Sequence, residues 1–176
     1  MDDELLDLVD RDDRVLGTIN RKNYATFMSK KLGYLRAVDL FIVNSAGKVF
    51  TPVRTAHKTI APNGLDFSVG GHVSSGDDYL STVVREAEEE LYLHIAPKEL
   101  EFLAKIISEE IRYIRCVYVL RTETTPTLNT NDFVKAEWLL PDELVAKIDS
   151  GHPAKMTLRE TVLLLKDHLK NSQKCP

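Results

Sequence analysis

Glu86, Glu89 and Glu90 fall at i, i+3 and i+4 within the run Arg85-Glu86-Ala87-Glu88-Glu89-Glu90. On an α-helix that spacing sends all three side chains out from one face. Like charges so placed repel by roughly a few tenths of a kcal/mol per pair. Only Arg85, and Arg36 if the fold brings it near, would offset them. A divalent cation would turn the repulsion into binding. Oxygen-only ligands suit Mg²⁺ or Mn²⁺, and a site able to hold more than one ion suits attack of water on a polyphosphate. An acidic run on a helix is more often a solvated face, so the surrounding sequence has to decide.

Several elements are needed to position these groups. Leu80, Val83, Val84, Ala87 and Leu91 recur at helical spacing and predict a helix over Asp77 to Leu91, with Asp77 and Asp78 near the positive end of its dipole. Upstream, Thr55 to Asp66 is irregular, followed by a short strand around Phe67-Ser68-Val69 and the pair Gly70-Gly71. Leu5 to Asn20 reads as a hairpin, and Ala37 to Asn44 with Lys48 to Arg54 as a second. Leu103 to Ser108, Tyr113 to Arg121 and Ala136 to Leu140 read as strands, with a polar loop at Thr122 to Asn131. Pro141 opens a short helix to about Ile148, and Leu158 to Leu169 predicts a C-terminal helix. This order suits a mixed sheet between helical layers, an α+β arrangement, with residues 1–176 as one domain.

Gly71, five residues, Asp77, seven residues, then Arg85-Glu86-Ala87-Glu88-Glu89-Glu90-Leu91-Tyr92-Leu93 resembles the Nudix box. Five exact non-aliphatic matches (Gly71, Arg85, Glu86, Glu89, Glu90) arise by chance at roughly one start in a million, so coincidence is a poor explanation. The resemblance implies a Nudix-type α/β/α sandwich and a metal-dependent pyrophosphohydrolase acting on a nucleoside diphosphate derivative or similar small diphosphate. It implies metal binding by Glu86, Glu89, Glu90 and the carbonyl of Gly70. Glu86 would alternatively serve as general base, and Arg85 would orient a glutamate. Two positions depart from the box. Asp77 replaces a glutamate, and Tyr92 replaces a glycine that takes a positive φ.

Val9 to Gly17, Arg36-Ala37-Val38, the Arg54 to Lys58 segment and Ser68 to His72 look like the branch containing isopentenyl-diphosphate isomerase. That isomerase needs a cysteine where this chain has Gly70, and its metal-gathering histidines and glutamates align with Met28, Leu35, Arg112 and Ile114. Only its third histidine remains, as His72. Isomerisation is therefore expected to be absent. By the same alignment Arg54 and Lys58 match residues that grip a diphosphate, and His72 would contact substrate or metal. Asp132 is the candidate acid on the loop before the last strand, with Glu137 and Glu123 behind it. Trp138, flanked by Ala136, Leu139 and Leu140, reads as core.

The net charge of -4 and scattered cations lack the basic stripe that a long nucleic acid requires. Cys116 and Cys175 do not make a disulfide framework, and the acidic opening MDDELLDLVDRDD is unlike a basic signal peptide, so a cytoplasmic, membrane-free protein is expected. Analogy with Nudix proteins of this size suggests a homodimer. Two other functions compete: a catalytically weak module that binds a nucleotide or protein partner, and, third, the isomerase.

Overall fold

The computed structural model describes residues 4–172, so Cys175 lies outside them. The chain runs β1 (Leu5–Val9), β2 (Val15–Asn20), α1 (Tyr24–Lys30), β3 (Leu35–Val43), β4 (Val49–Arg54), β5 (Val69–His72), α2 (Tyr79–Leu91), β6 (Leu100–Ser108), β7 (Tyr113–Arg121), β8 (Phe133–Leu139), α3 (Pro141–Asp149) and α4 (Leu158–Ser172).

Strand β3 organises the main sheet. It pairs in parallel with β7 along its whole length, from Leu35 opposite Tyr113 to Val43 opposite Arg121. Its other edge is shared. The first half takes β5 antiparallel, Ala37 to Leu40 against His72 to Val69, and the end meets β4 only at Val43–Val49. The expected second hairpin is therefore brief: its strands part after the turn, and β5 fills the opening. Beyond these, β6 lies antiparallel to β7, and β8 antiparallel to β4.

Alternation along the central strands explains the layering. Val38, Leu40 and Ile42 of β3 with Cys116, Tyr118 and Leu120 of β7 face a core completed by Val83, Ala87 and Leu91 of α2. The intervening Phe41, Val43, Val117 and Val119 face the other way, onto Leu144 of α3 and Leu158, Val162 and Leu165 of α4. The result is a helix–sheet–helix sandwich with a mixed sheet, as the sequence implied. Trp138 packs against the α2-side core, edge-on to Phe50 at 5.3 Å between centroids. Among the described residues no helix is long and apolar enough to cross a membrane.

Some boundaries differ from the sequence reading. β5 takes in the glycine pair, and β8 starts three residues earlier than expected because its register with β4 runs to Phe133. Leu140, expected in the strand, instead precedes α3, where its N–H is met by Glu143 at 2.8 Å. Helix α1 was not anticipated. It buries Phe27 with Leu6 and Leu35, closing a small core beneath β1 and β2. Arg36 does not approach the glutamates, because it is committed to Asp13 at 2.6 Å and Asp7 at 3.2 Å.

Candidate active site

Helix α2 starts two residues later than expected, with Asp78 as its cap: the side chain accepts from the Ser81 N–H at 2.7 Å. It ends at Tyr92, which has φ 50° and ψ 34°. The Tyr92 N–H donates to the Glu88 carbonyl at 3.0 Å and the Leu93 N–H to the Ala87 carbonyl at 3.2 Å, a Schellman-type closure. Tyr92 thus adopts the left-handed conformation that the box assigns to glycine. Asp77 lies just before the helix and is exposed.

The glycine pair of β5 is set against this helix. A Cβ on Gly71 would lie 2.1 Å from the carboxyl carbon of Glu86, so only glycine leaves room for that side chain. The N–H of Gly70 donates to a Glu90 oxygen at 3.0 Å. Burial drives the Glu86 pKa up to about 7, opposed by Arg85 at 3.0 Å and assisted by the charge of Glu89. Burial raises Glu90 to about 8, with further contributions from the charges of Asp66 and Glu86. Glu89 stands apart: its side chain is 57% exposed and lies 3.2 Å from Arg85. Arg85 also reaches the His72 carbonyl at 3.4 Å, so one guanidinium spans Glu86, Glu89 and β5.

Among the described residues no three His, Cys, Asp or Glu side chains converge on one point that could hold an ion. The local chemistry nonetheless fits a hard cation. Glu86 and Glu90 are partly withdrawn from water on one helix face, the charge of Glu86 raises the cost of ionising Glu90, and their carboxylates with the Gly70 carbonyl offer oxygen donors. A divalent ion would compensate charges that burial now disfavours.

The remaining residues singled out from sequence are all occupied by other partners, and Glu137 and Glu123 are tied to α3 and to the β3–β4 turn instead of to the glutamates. Arg54 is paired with Asp66, and its Nε donates to the Ile60 carbonyl at 2.8 Å. Lys58 is paired with Asp132, so one expected diphosphate contact and one expected metal ligand hold each other. His72 hydrogen-bonds the Tyr113 hydroxyl at 2.8 Å, and burial lowers its pKa to about 4, leaving it neutral. Glu137 bridges Lys135 and Lys147, and Glu123 accepts from the Ser45 N–H at 2.6 Å. The loop carrying Asp132 is tied to the end of α2, since Asn129 donates to the carbonyls of Glu90 at 2.8 Å and Glu89 at 3.0 Å.

Four charged residues that sequence reasoning missed complete the neighbourhood. Lys155 lies 3.3 Å from Asp66 and 3.9 Å from Asp39, and Asp39 is in turn paired with Arg115. Its Nζ would sit 2.9 Å from a Cβ placed on Gly70. No local pattern marks these residues, because strands β3 and β7, the loop before β5 and the segment before α4 bring them together across long sequence separations.

Similarity to known proteins agrees with this arrangement. A family model described as the NUDIX domain matches residues 33–160. A Nudix hydrolase of Deinococcus radiodurans is 40% identical over 162 residues, covering 91% of this chain and 92% of that protein. An uncharacterized Nudix hydrolase of Nostoc sp. is 39% identical over 161 residues, covering 90% and 94%. Among solved structures, the crystal structure of DR0079 from Deinococcus radiodurans superposes with a TM-score of 0.80 at 39% identity, covering 90% of this chain and 97% of that one. The MutT protein of Methanosarcina mazei shares the fold, with a TM-score of 0.59 at 17% identity over 80% and 96% of the two chains.

Proposed function

The chain belongs to the Nudix hydrolase family, whose members generally act on nucleoside diphosphate derivatives, and from that premise we propose a Mg²⁺- or Mn²⁺-dependent enzyme, one domain over residues 1–176, that hydrolyses a phosphoanhydride bond in a small nucleotide-like diphosphate. The observation that carries this reading is the seating of two partly buried carboxylates, Glu86 and Glu90, on one face of α2 against Gly70 and Gly71.

Glu86, Glu89 and Glu90, with the carbonyl of Gly70, would hold the metal. Divalent ions there would neutralise the diphosphate and lower the pKa of the attacking water. Alternatively to holding metal, Glu86 would serve as general base, accepting the proton of that water as its oxygen bonds to phosphorus and the bridging P–O bond breaks. Arg85 is the positioning residue, holding Glu86 and Glu89 from the same guanidinium. Lys58 would take up phosphate oxygens by exchanging Asp132 for substrate, Arg54 would offer its remaining guanidinium N–H groups to phosphate while keeping Asp66, and Asp132, once released, would be the added acid for the metal. The neutral His72 would serve as a hydrogen-bonding wall of the site.

The resemblance to isopentenyl-diphosphate isomerase does not bring isomerase chemistry with it. Position 70 has no thiol, and Lys155 occupies the space a side chain there would need. Cys116, the free cysteine among the described residues, is buried with its thiol pushed up to about 11. Met28, Leu35 and Ile114 pack into apolar clusters, and Arg112 bonds to Glu109 and Gly33. The test is release of phosphate or nucleoside monophosphate from a panel of nucleotide diphosphates with Mg²⁺ or Mn²⁺. Turnover lost in Glu89→Gln and Glu90→Gln is the expected result. Metal binding with no turnover of any panel member would favour a binding module instead.

A further inference from the structure

Three carboxylates lie around the Gly70 side of the site, Asp39, Asp66 and Glu90, and three cations answer them. Arg115 is buried on Asp39 and Arg54 is bound to Asp66. Neither is free to leave, since Arg115 is also bonded to Ser108 and Thr161, and Arg54 to the Ile60 carbonyl. Lys155 is different. Its backbone is fixed, with the Lys155 N–H donating to the Leu65 carbonyl at 2.9 Å and the Leu65 N–H to the Pro153 carbonyl at 2.8 Å. Its side chain retains a route to solvent at 26% exposure. The ammonium sits over the glycine pair, 3.3 Å from Asp66, 3.9 Å from Asp39 and 2.9 Å from where a Gly70 Cβ would be.

We propose that Lys155 is a built-in counter-ion of the carboxylate site, and that a divalent cation must displace its ammonium to bind there. The inference rests on the metal-binding reading of Glu86 and Glu90 given above. Around Gly70 three acids already face three cations, so an ion binding there meets the repulsion of the Lys155 ammonium and gains affinity when that ammonium withdraws. Lys155, a long side chain held by its ion pairs and the face of the Phe67 ring with no second anchor of the kind that fixes Arg115 and Arg54, is the one able to do so. Its retreat would leave the ammonium free beside the site to meet the anionic substrate. Lys155 is thus a positioning residue that sets metal affinity.

Titration calorimetry of Mn²⁺ into EDTA-stripped wild-type, Lys155→Met, Lys155→Gln and Glu90→Gln proteins tests this, at pH 9 to keep protons out of the competition. The expected result is that Lys155→Met binds Mn²⁺ roughly tenfold more tightly than wild type, the screened Coulomb effect of one nearby cation on a divalent ion. It should also melt at a lower temperature in EDTA and gain more from added Mn²⁺. Lys155→Gln, which keeps a hydrogen-bond donor for Asp66, gives the same sign and serves if the methionine variant does not fold. A purely structural ion pair would lower the melting temperature without raising affinity. Unchanged or weaker binding in both variants, with Glu90-dependent binding in wild type, overturns the role of Lys155 alone. Absence of binding in wild type and both Lys155 variants overturns the metal reading and this inference together.

Discussion

Replacing Gly71 with alanine separates catalysis from stability. The new Cβ would lie 2.1 Å from the Glu86 carboxyl carbon and 2.2 Å from one of its oxygens, where ordinary contact begins near 3.4 Å. The Glu86 carboxylate must therefore retreat by more than 1 Å. The Glu86 Cγ would also lie 2.6 Å from the new Cβ, so the whole side chain must turn aside, which it can do without moving the backbone of β5, and the φ of Gly71 is one that alanine adopts. Stability should then change by no more than about 0.5 kcal/mol, or about 1–2 °C in Tm. A catalytic group displaced by about 1 Å costs on the order of 100-fold in rate. Gly71→Ala should accordingly lose roughly that factor in kcat while melting close to wild type. Because both changes act through one carboxylate, Gly71→Ala/Glu86→Gln should be no slower than Glu86→Gln alone. The assay is steady-state phosphate release beside a thermal melt. A Gly71→Ala enzyme within about threefold of wild type, or a double variant that multiplies the two losses, would refute the placement of Glu86 at the reacting centre.

Three further outcomes follow from the same structure. Tyr92→Gly removes a tyrosine from φ 50°, a conformation costing about 1–2 kcal/mol, against about 0.4–1 kcal/mol returned to the unfolded chain; Tm should rise by roughly 2 °C, and a fall would show that the 60% exposed ring makes a compensating contact. Arg115→Met leaves Asp39 buried without its main partner and should destabilise by about 3 kcal/mol or more in chemical denaturation. In EDTA, stability should fall as pH rises from 6.5 to 8. Glu86 and Glu90 hold protons there, at about 7 and about 8, that the unfolded chain has already released, while His72 has its folded value near 4 and its reference value at 6.5 and so titrates below this window. Glu90→Gln should flatten that slope, which melts across the pH range would reveal.

The fold was legible where one local period governed an element. The spacing of Val83, Ala87 and Leu91 gave α2, and the apolar run from Tyr113 to Arg121 gave β7 with its observed ends. What sequence could not supply was the partner of each strand. Residues Ala37–Asn44 and Lys48–Arg54 look like an ordinary hairpin, yet β3 bonds mainly to β7 and β5, because burying both of its faces stabilises it more than a solvent-edged hairpin would. Helix α1 escaped notice for a related reason. Its seven residues, Tyr24–Lys30, bury only Phe27 fully, too short a stripe to register as a period, and its support comes from Leu6 and Leu35.

The site divides along the same line. Glu86, Glu89 and Glu90 were legible because a helix converts sequence spacing directly into a shared face, and Gly71 because the box places it where that face is received. Their inequality was not. Glu86 and Glu90 are withdrawn from water by β5 while Glu89 remains in it beside Arg85, a difference set by how the helix lies on the sheet and not by its period. Still less legible was Lys155, which stands 85 residues from Gly70 in an irregular stretch. Nothing in Pro153-Ala154-Lys155 indicates an acidic neighbour; the parallel bridge between Leu65 and Ala154 creates that proximity by aligning two loops. Charges that meet through such tertiary bridges are not constrained by local periodicity, so the glutamates could be found from the chain and the cation answering them only from the fold.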